Sequence, residues 1–204
     1  MGYDFIALSD HWHFGEGTER DPSGLLVLSG SEYNFNDIDI LTGVYHILSI
    51  GASRNPEIQP SDTAQEAIDK INTAGGLPIL ATDDSHFYRG EEGMSFIMVN
   101  LGQDPLTTVN LLKAIREGRF IATQGPMFTF SREGDEAVLR SETPLSLVTF
   151  FTDRVFEEDR CTVMIDKPIY EARFRIKSVD TFVRAECTAV GGGVGYSKII
   201  PLKQ

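Results

Sequence analysis

Short apolar runs that end abruptly in polar residues dominate the first half of the chain and constrain its fold most. Five such runs lie before residue 100, at residues 3–8, 25–28, 45–50, 77–81 and 96–99. Continuous apolar runs of this length between polar turns are typical of strands that are buried on both faces. The sequence therefore predicts a parallel sheet in this half of the chain.

Two helices are predicted between these runs. Apolar residues recur at helical spacing over residues 64–71, with Ser61 or Asp62 as the N-cap. A second helix is expected to begin with Asp104 as its N-cap and to end at Gly118. Strands that alternate with helices indicate βα units around a parallel sheet.

The second half of the chain has a different pattern, which starts after about Thr123. Ala172 and Phe174 alternate with basic residues. Six strand-like segments follow one another without a helical pattern between them, at residues 127–130, 145–152, 161–165, 172–176, 182–188 and 198–202. A period of two indicates an antiparallel strand with one exposed face. We expect residues 124–204 to form a small all-β sandwich with a scaffold or interaction role, and residues 1–123 to form an α/β domain.

The net charge of −12 arises entirely in the first half of the chain. Residues 1–100 hold 16 acidic and 4 basic residues, whereas residues 101–204 hold 14 of each. All four histidines also lie in the acidic half. Acidic residues often serve solubility alone, but carboxylates and imidazoles together are the ligands that divalent cations require. The absence of a basic stripe argues against a partner of duplex nucleic acid.

The sequence also bears on location. No apolar run approaches the roughly 20 residues of a membrane helix, and no secretory signal opens the chain. The two cysteines, Cys161 and Cys187, lack the C-x-x-C spacing of a zinc site. We therefore expect a cytoplasmic protein without a membrane partner.

Side chains that bind metals follow three of the first four apolar runs, and His46 lies near the start of the remaining one. In a parallel α/β layout, ligands bind at the carboxyl ends of the strands. Any one of these residues alone would more often be a cap or part of a solvated turn, but their joint placement predicts a shared metal site. The residues that follow the three runs are Asp10, His11, His13, Glu32, Asp83, Asp84 and His86.

Four motifs occur in an order that is characteristic of one family. Residues 5–11 end in Asp-His, residues 29–32 read Ser-Gly-Ser-Glu, residues 45–48 carry a strand histidine, and residues 82–86 read Thr-Asp-Asp-Ser-His. Together they resemble motifs of the polymerase-and-histidinol-phosphatase (PHP) superfamily of metal-dependent phosphoesterases. The segments at 111–126 and 182–202 resemble a subgroup in which a small β-sandwich follows the barrel.

The resemblance implies an incomplete PHP-like (β/α) barrel followed by a small all-β sandwich domain. The sequence begins just before the family's second motif, without the His-x-His motif, and Ala81 runs directly into Thr82 without the family's middle segment. An incomplete barrel exposes strand edges and apolar faces, which soluble proteins cover. We therefore expect the chain to form a homo-oligomer.

The resemblance also implies a ligand set for two or three divalent ions of zinc, manganese or iron. Glu32 would bridge two ions, His46 and Asp84 would each bind one of them, and His11 and His86 would share a third. Because the family's other ligands are missing, we expect partial occupancy.

Two further residues are the catalytic candidates of the sequence, Asp10 and His13. Asp10, like Asp83, would be a carboxylate that orients an imidazole. His13 has no clear counterpart in the family, and it either replaces a lost ligand or is a surface histidine.

The activity that the resemblance implies is hydrolysis of phosphate mono- or diesters by metal-activated water, acting on a small phosphorylated substrate and slowed by the missing ligands. Two alternatives stay open. The chain is either a non-catalytic PHP-like remnant that serves as a metal-binding or assembly module, or a β-sandwich interaction protein whose acidic half is a scaffold. Metal analysis separates the hydrolase and the metal-binding remnant from the interaction protein. Phosphodiester turnover then separates the hydrolase from the remnant.

Overall fold

The computed structural model describes residues 2–18, 21–36, 44–78, 93–154 and 156–202. Its contacts divide the chain into two compact units. The N-terminal unit comprises Met1–Leu80 and Leu101–Glu117, and the C-terminal unit comprises Ala81–Asn100 and Gly118–Gln204. The division into domains at residues 1–123 and 124–204 stays a prediction.

The N-terminal unit contains two small sheets. Strands β1 (Phe5–Ala7) and β2 (Leu26–Leu28) pair in parallel. Strands β3 (Gly30–Asn36), β4 (Val44–Ile50) and β5 (Leu77–Pro78) form an antiparallel sheet in that order. The pairing of β3 with β4 is antiparallel because only residues 37–43 connect them, whereas a parallel crossover needs a dozen or more residues.

The predicted fold class, an α/β chain with an incomplete PHP-like (β/α) barrel and a small all-β sandwich, is wrong. Within the described ranges the chain has fourteen strands and two α-helices, and one pair of strands runs parallel. A (β/α) barrel needs successive parallel strands that are each followed by a helix. The part of the chain that the structure describes contains no such barrel and is mostly β.

The two helices begin later than the sequence predicts. Helix α1 (Ala64–Thr73) has Thr63 as its N-cap in a capping box with Glu66, and helix α2 (Thr108–Arg116) is capped by Thr107. The caps therefore lie one to three residues beyond the predicted positions. In α1 the reason is the capping box, which pairs a threonine with a glutamate three residues later. Neither helix is long and apolar enough to cross a membrane, nor is any other helix within the described residues.

Helix α1 covers one face of the β3–β4 hairpin. Its buried residues Ala67 and Ile71 pack in one cluster with Tyr33, Phe35 and Ile47. Successive side chains of a strand point to opposite faces of a sheet. The even-numbered residues of β3 and β4 therefore lie on the face opposite α1.

The C-terminal unit contains one antiparallel sheet of nine strands. The sheet path runs β10-β9-β12-β13-β7-β6, with β8 and β11 also paired to β9 and β14 paired to β12. The strands are β6 (Phe96–Val99), β7 (Phe120–Thr123), β8 (Phe128–Glu133), β9 (Glu136–Phe151), β10 (Cys161–Val163), β11 (Ile169–Arg175), β12 (Phe182–Ala189), β13 (Val194–Tyr196) and β14 (Ile200–Pro201).

The core of the C-terminal unit lies along β9, β11 and β12. The ring of Phe150 stacks on that of Phe174, with 5.5 Å between the ring centroids. In β12, buried Val183, Ala185 and Cys187 alternate with less buried residues. The sixteen-residue strand β9 pairs mainly with β8 and β11 along its first half and with β10 and β12 along its second. The sheet therefore curls along β9, where the neighbouring strands change.

The two cysteines are expected to differ sharply in reactivity. Both are free thiols, but Cys161 is exposed on β10 whereas Cys187 is buried. Burial raises the pKa of the Cys187 thiol to about 12, and only the thiolate attacks disulfide reagents. At pH 8 we expect one thiol to react with Ellman's reagent in the native protein and two to react in denaturant. Cys161→Ser should remove the native reaction, and two native thiols of equal rate would contradict this assignment.

Candidate metal site

The turn that follows β1 lies along the edge of β3 that faces away from β4. The amide of Glu32 donates to the carbonyl of Asp10 at 3.0 Å, and the amide of Trp12 donates to the carbonyl of Glu32 at 2.8 Å. His11 lies between these two hydrogen bonds and forms a parallel bridge with Glu32. The backbone therefore places His11 next to Glu32.

The β3–β4 hairpin brings His46 to the same carboxylate. In its register Glu32 lies opposite Leu48, and Asn34 lies opposite His46. Glu32, Asn34 and His46 are therefore close neighbours on the face opposite α1. The antiparallel pairing matters here because it places the start of β4 beside the end of β3.

Three potential ligand atoms converge at this point. Nδ1 of His46 contacts Oε1 of Glu32, and Nε2 of His11 lies 3.8 Å from the same oxygen. The two imidazole rings meet edge to face with 5.3 Å between their centroids. The ligand atoms of His11, Glu32 and His46 all lie within 4.8 Å of one another. We call this set the metal-site triad.

Burial differs within the metal-site triad. The side chain of Glu32 is 9% exposed, whereas those of His11 and His46 are 47% and 43% exposed. A buried carboxylate is unfavourable unless charged or polar partners surround it. Here the two imidazoles supply those partners, and their exposed rings leave the site open to solvent on one side.

The donor set fits a divalent transition metal. Two histidines and one glutamate form one of the ligand sets of catalytic zinc sites, which keep a further position open for water or substrate. Imidazole nitrogen also suits iron and other first-row metals, and carboxylate oxygen suits manganese. The triad can therefore hold one divalent ion through three side chains.

The structure brings together three of the five predicted metal ligands, His11, Glu32 and His46. Asp84 and His86, together with Asp83, lie outside the described residues. The two predicted catalytic residues, Asp10 and His13, are exposed and do not belong to the triad. Asp10 supports the site through its backbone carbonyl, which accepts hydrogen bonds from the amides of Glu32 and His13.

Two neighbours of the triad were missed by the sequence analysis. Asn34 lies two residues after Glu32, and alternation along a strand is the signal that places both on one face. Trp12 follows His11 directly, and its indole Nε1 donates to Oδ1 of Asn34 at 2.6 Å. No sequence pattern indicates that hydrogen bond.

Comparison of the chain with family models, curated proteins and solved structures found no match. The resemblance to the PHP superfamily therefore stays a prediction, which rests on the motifs alone.

Proposed function

We propose that the chain is a metal-dependent hydrolase of phosphate esters in which the metal-site triad holds a divalent transition-metal ion. The observation that carries this proposal is the convergence of two imidazole nitrogens on the buried carboxylate of Glu32. The motif resemblance to PHP phosphoesterases, which involves the same three residues, supports phosphate esters as the substrate class.

Each residue of the triad has a separate task in this proposal. His11 and His46 act as neutral ligands through Nε2 and Nδ1, the two nitrogens that lie nearest Glu32. Glu32 supplies the negative charge that a divalent cation requires. A bound divalent ion polarises a phosphoryl oxygen and lowers the pKa of water. The exposed sides of the two imidazoles leave room for a phosphate group to approach from solvent.

The experiment is hydrolysis of bis-p-nitrophenyl phosphate by the purified chain with added manganese or zinc. We expect slow, metal-dependent turnover that falls by about 100-fold or more in His46→Ala, since even residues that only orient ligands contribute about 10–100-fold. His13→Ala is the matched control, because this exposed histidine lies near the triad in sequence but not within it.

The outcomes of that assay separate the candidate functions. Metal binding by the wild type without any turnover would overturn the hydrolase and favour a non-catalytic metal-binding module. If neither metal binding nor turnover is found, both functions fail. A loss of turnover in His13→Ala would instead place His13 among the ligands.

The proposed substrate is a small phosphorylated molecule, and the proposed compartment is the cytoplasm. Both cysteines of the chain are unpaired, which supports a reducing compartment because disulfides persist mainly in oxidising ones. Self-association also stays a proposal, which sedimentation at micromolar concentration tests.

A further inference from the structure

Trp12 has an unusual backbone conformation beside the metal-site triad. Its φ angle is 56°, and within the described ranges Glu57 is the other non-glycine residue with a positive φ. A bulky side chain rarely adopts this left-handed conformation. Such strained residues persist only when the surrounding contacts hold them in place, and they cluster at functional sites.

Four contacts from β3 hold Trp12 in place. Its indole Nε1 donates to Oδ1 of Asn34 at 2.6 Å. Its ring meets those of Tyr33 and Phe35 edge to face, with centroid distances of 5.3 and 5.7 Å. Its backbone amide donates to the carbonyl of Glu32. Four consecutive residues of β3 therefore fix the one residue that follows His11.

Asn34, which accepts the hydrogen bond from Trp12, is also a neighbour of His46. It lies directly opposite His46 in the β3–β4 register and on the same face as Glu32. The Trp12–Asn34 hydrogen bond therefore joins the residue after one ligand to the residue across from another. It spans the two segments that must stay together for the triad to exist.

We propose that Trp12 and Asn34 are positioning residues that hold His11 against Glu32 and His46 and thereby set the metal affinity of the triad. This inference rests on the proposed metal site. Without the hydrogen bond the strained turn relaxes, and His11 becomes free to move away from the carboxylate. An ion must then order the turn when it binds, which weakens its affinity.

The test is a titration with Co²⁺, followed by its visible absorption, on the wild type and three variants. Trp12→Phe keeps an aromatic ring but removes the N–H donor, Asn34→Ala removes the acceptor, and the third variant combines both changes. We expect the Kd for Co²⁺ to rise about 10-fold in each single variant. The double variant should be no weaker than either single one, because both changes remove the same bond.

Tryptophan emission gives a second readout. Trp12 is the only tryptophan of the chain, so the whole emission comes from beside the triad, where bound Co²⁺ quenches it. Asn34→Ala retains this fluorophore, and its quenching midpoint should lie at about 10-fold higher Co²⁺ than in the wild type. Because Asn34→Ala leaves the indole packing in place, it carries the test even if Trp12→Phe does not fold.

Glu57→Gly is the matched control for backbone strain. It relaxes the other left-handed residue, which lies outside the triad, so melting temperature can change while the Kd for Co²⁺ stays at the wild-type value. A rise in Kd of the same size in Glu57→Gly would show a general effect of stability and overturn the positioning role.

The failure of this inference differs from the failure of the metal site itself. If the wild type binds no Co²⁺, the proposed function is wrong. If the wild type binds Co²⁺ and His46→Ala does not, while Trp12→Phe and Asn34→Ala retain the wild-type Kd, the triad stands and the positioning role is overturned.

Discussion

Glu32→Gln is expected to weaken the binding of divalent metal severely and to leave the fold intact. Glu32 provides the one carboxylate of the metal-site triad and is buried. Glutamine keeps the volume of the side chain, but it removes the negative charge and can turn N–H donors toward the imidazoles. We expect the Kd for zinc or manganese, measured by calorimetry, to rise by at least about 100-fold, beyond the loss typical of residues that only orient ligands.

Glu16→Gln is the control for this change. Glu16 is an exposed glutamate in the segment between β1 and β2 that also carries His11, so its substitution removes an equal charge from the same region outside the triad. Its metal content, measured by elemental analysis, should match that of the wild type. A Glu32→Gln variant that retains the metal content of the wild type would contradict the assignment of the site.

Gly30→Ala is expected to destabilise the N-terminal unit and to disrupt the triad with it. A Cβ atom at Gly30 would overlap the carbonyl oxygen of Leu8. The backbone of Gly30 cannot yield easily, because Gly30 and Gly15 exchange two hydrogen bonds of 3.1 and 2.8 Å. Overpacking of this kind lowers the free energy of unfolding by about 1–3 kcal/mol. Urea denaturation measures this loss, and the Kd for zinc should rise in parallel because Glu32 and the His11 turn shift.

Gly15→Ala provides a control at the paired position. A Cβ at Gly15 would lie 3.5 Å from the carbonyl oxygens of Gly30 and Leu8, which is an ordinary van der Waals distance. We expect its free energy of unfolding to stay within about 0.5 kcal/mol of the wild-type value. Equal losses in the two variants would show that the close approach at Gly30 is not the cause.

The sequence predicted the three residues of the triad, but for a partly wrong reason. A parallel sheet predicts ligands at the carboxyl ends of its strands, and His46 does not fit this pattern because it lies near the start of its strand. In the antiparallel hairpin the start of β4 lies beside the end of β3, which is why His46 meets Glu32. The choice of residue types was informative, whereas the assumed strand direction was not.

The apolar runs do not indicate strand direction. A short apolar run that packs under a helix has the same sequence pattern in a parallel sheet as in an antiparallel one. A better signal was present in β3, where Tyr33 and Phe35 alternate with Glu32, Asn34 and Asn36. That period of two is typical of an antiparallel strand with one exposed face. The short connection at residues 37–43 points the same way.

The first half of β9 was missed because its charged residues resemble a turn. The sequence predicted a strand only from residue 145, whereas β9 begins at Glu136. In the structure Arg140 forms cross-strand ion pairs with Glu171 at 2.8 Å and with Glu133. Charges that pair across strands are compatible with a sheet, but the sequence alone does not show which charges pair.

The two-faced β3 strand determines which kinds of sequence change this protein tolerates. Its odd positions pack under α1, and its even positions carry Glu32 and Asn34. A substitution at Glu32 or Asn34 therefore alters the chemistry of the site without touching the core. A single inserted or deleted residue before Tyr33 would exchange the two faces, burying polar side chains under the helix and exposing the aromatic ones. Divergence within this strand is therefore expected to proceed by substitution at constant length.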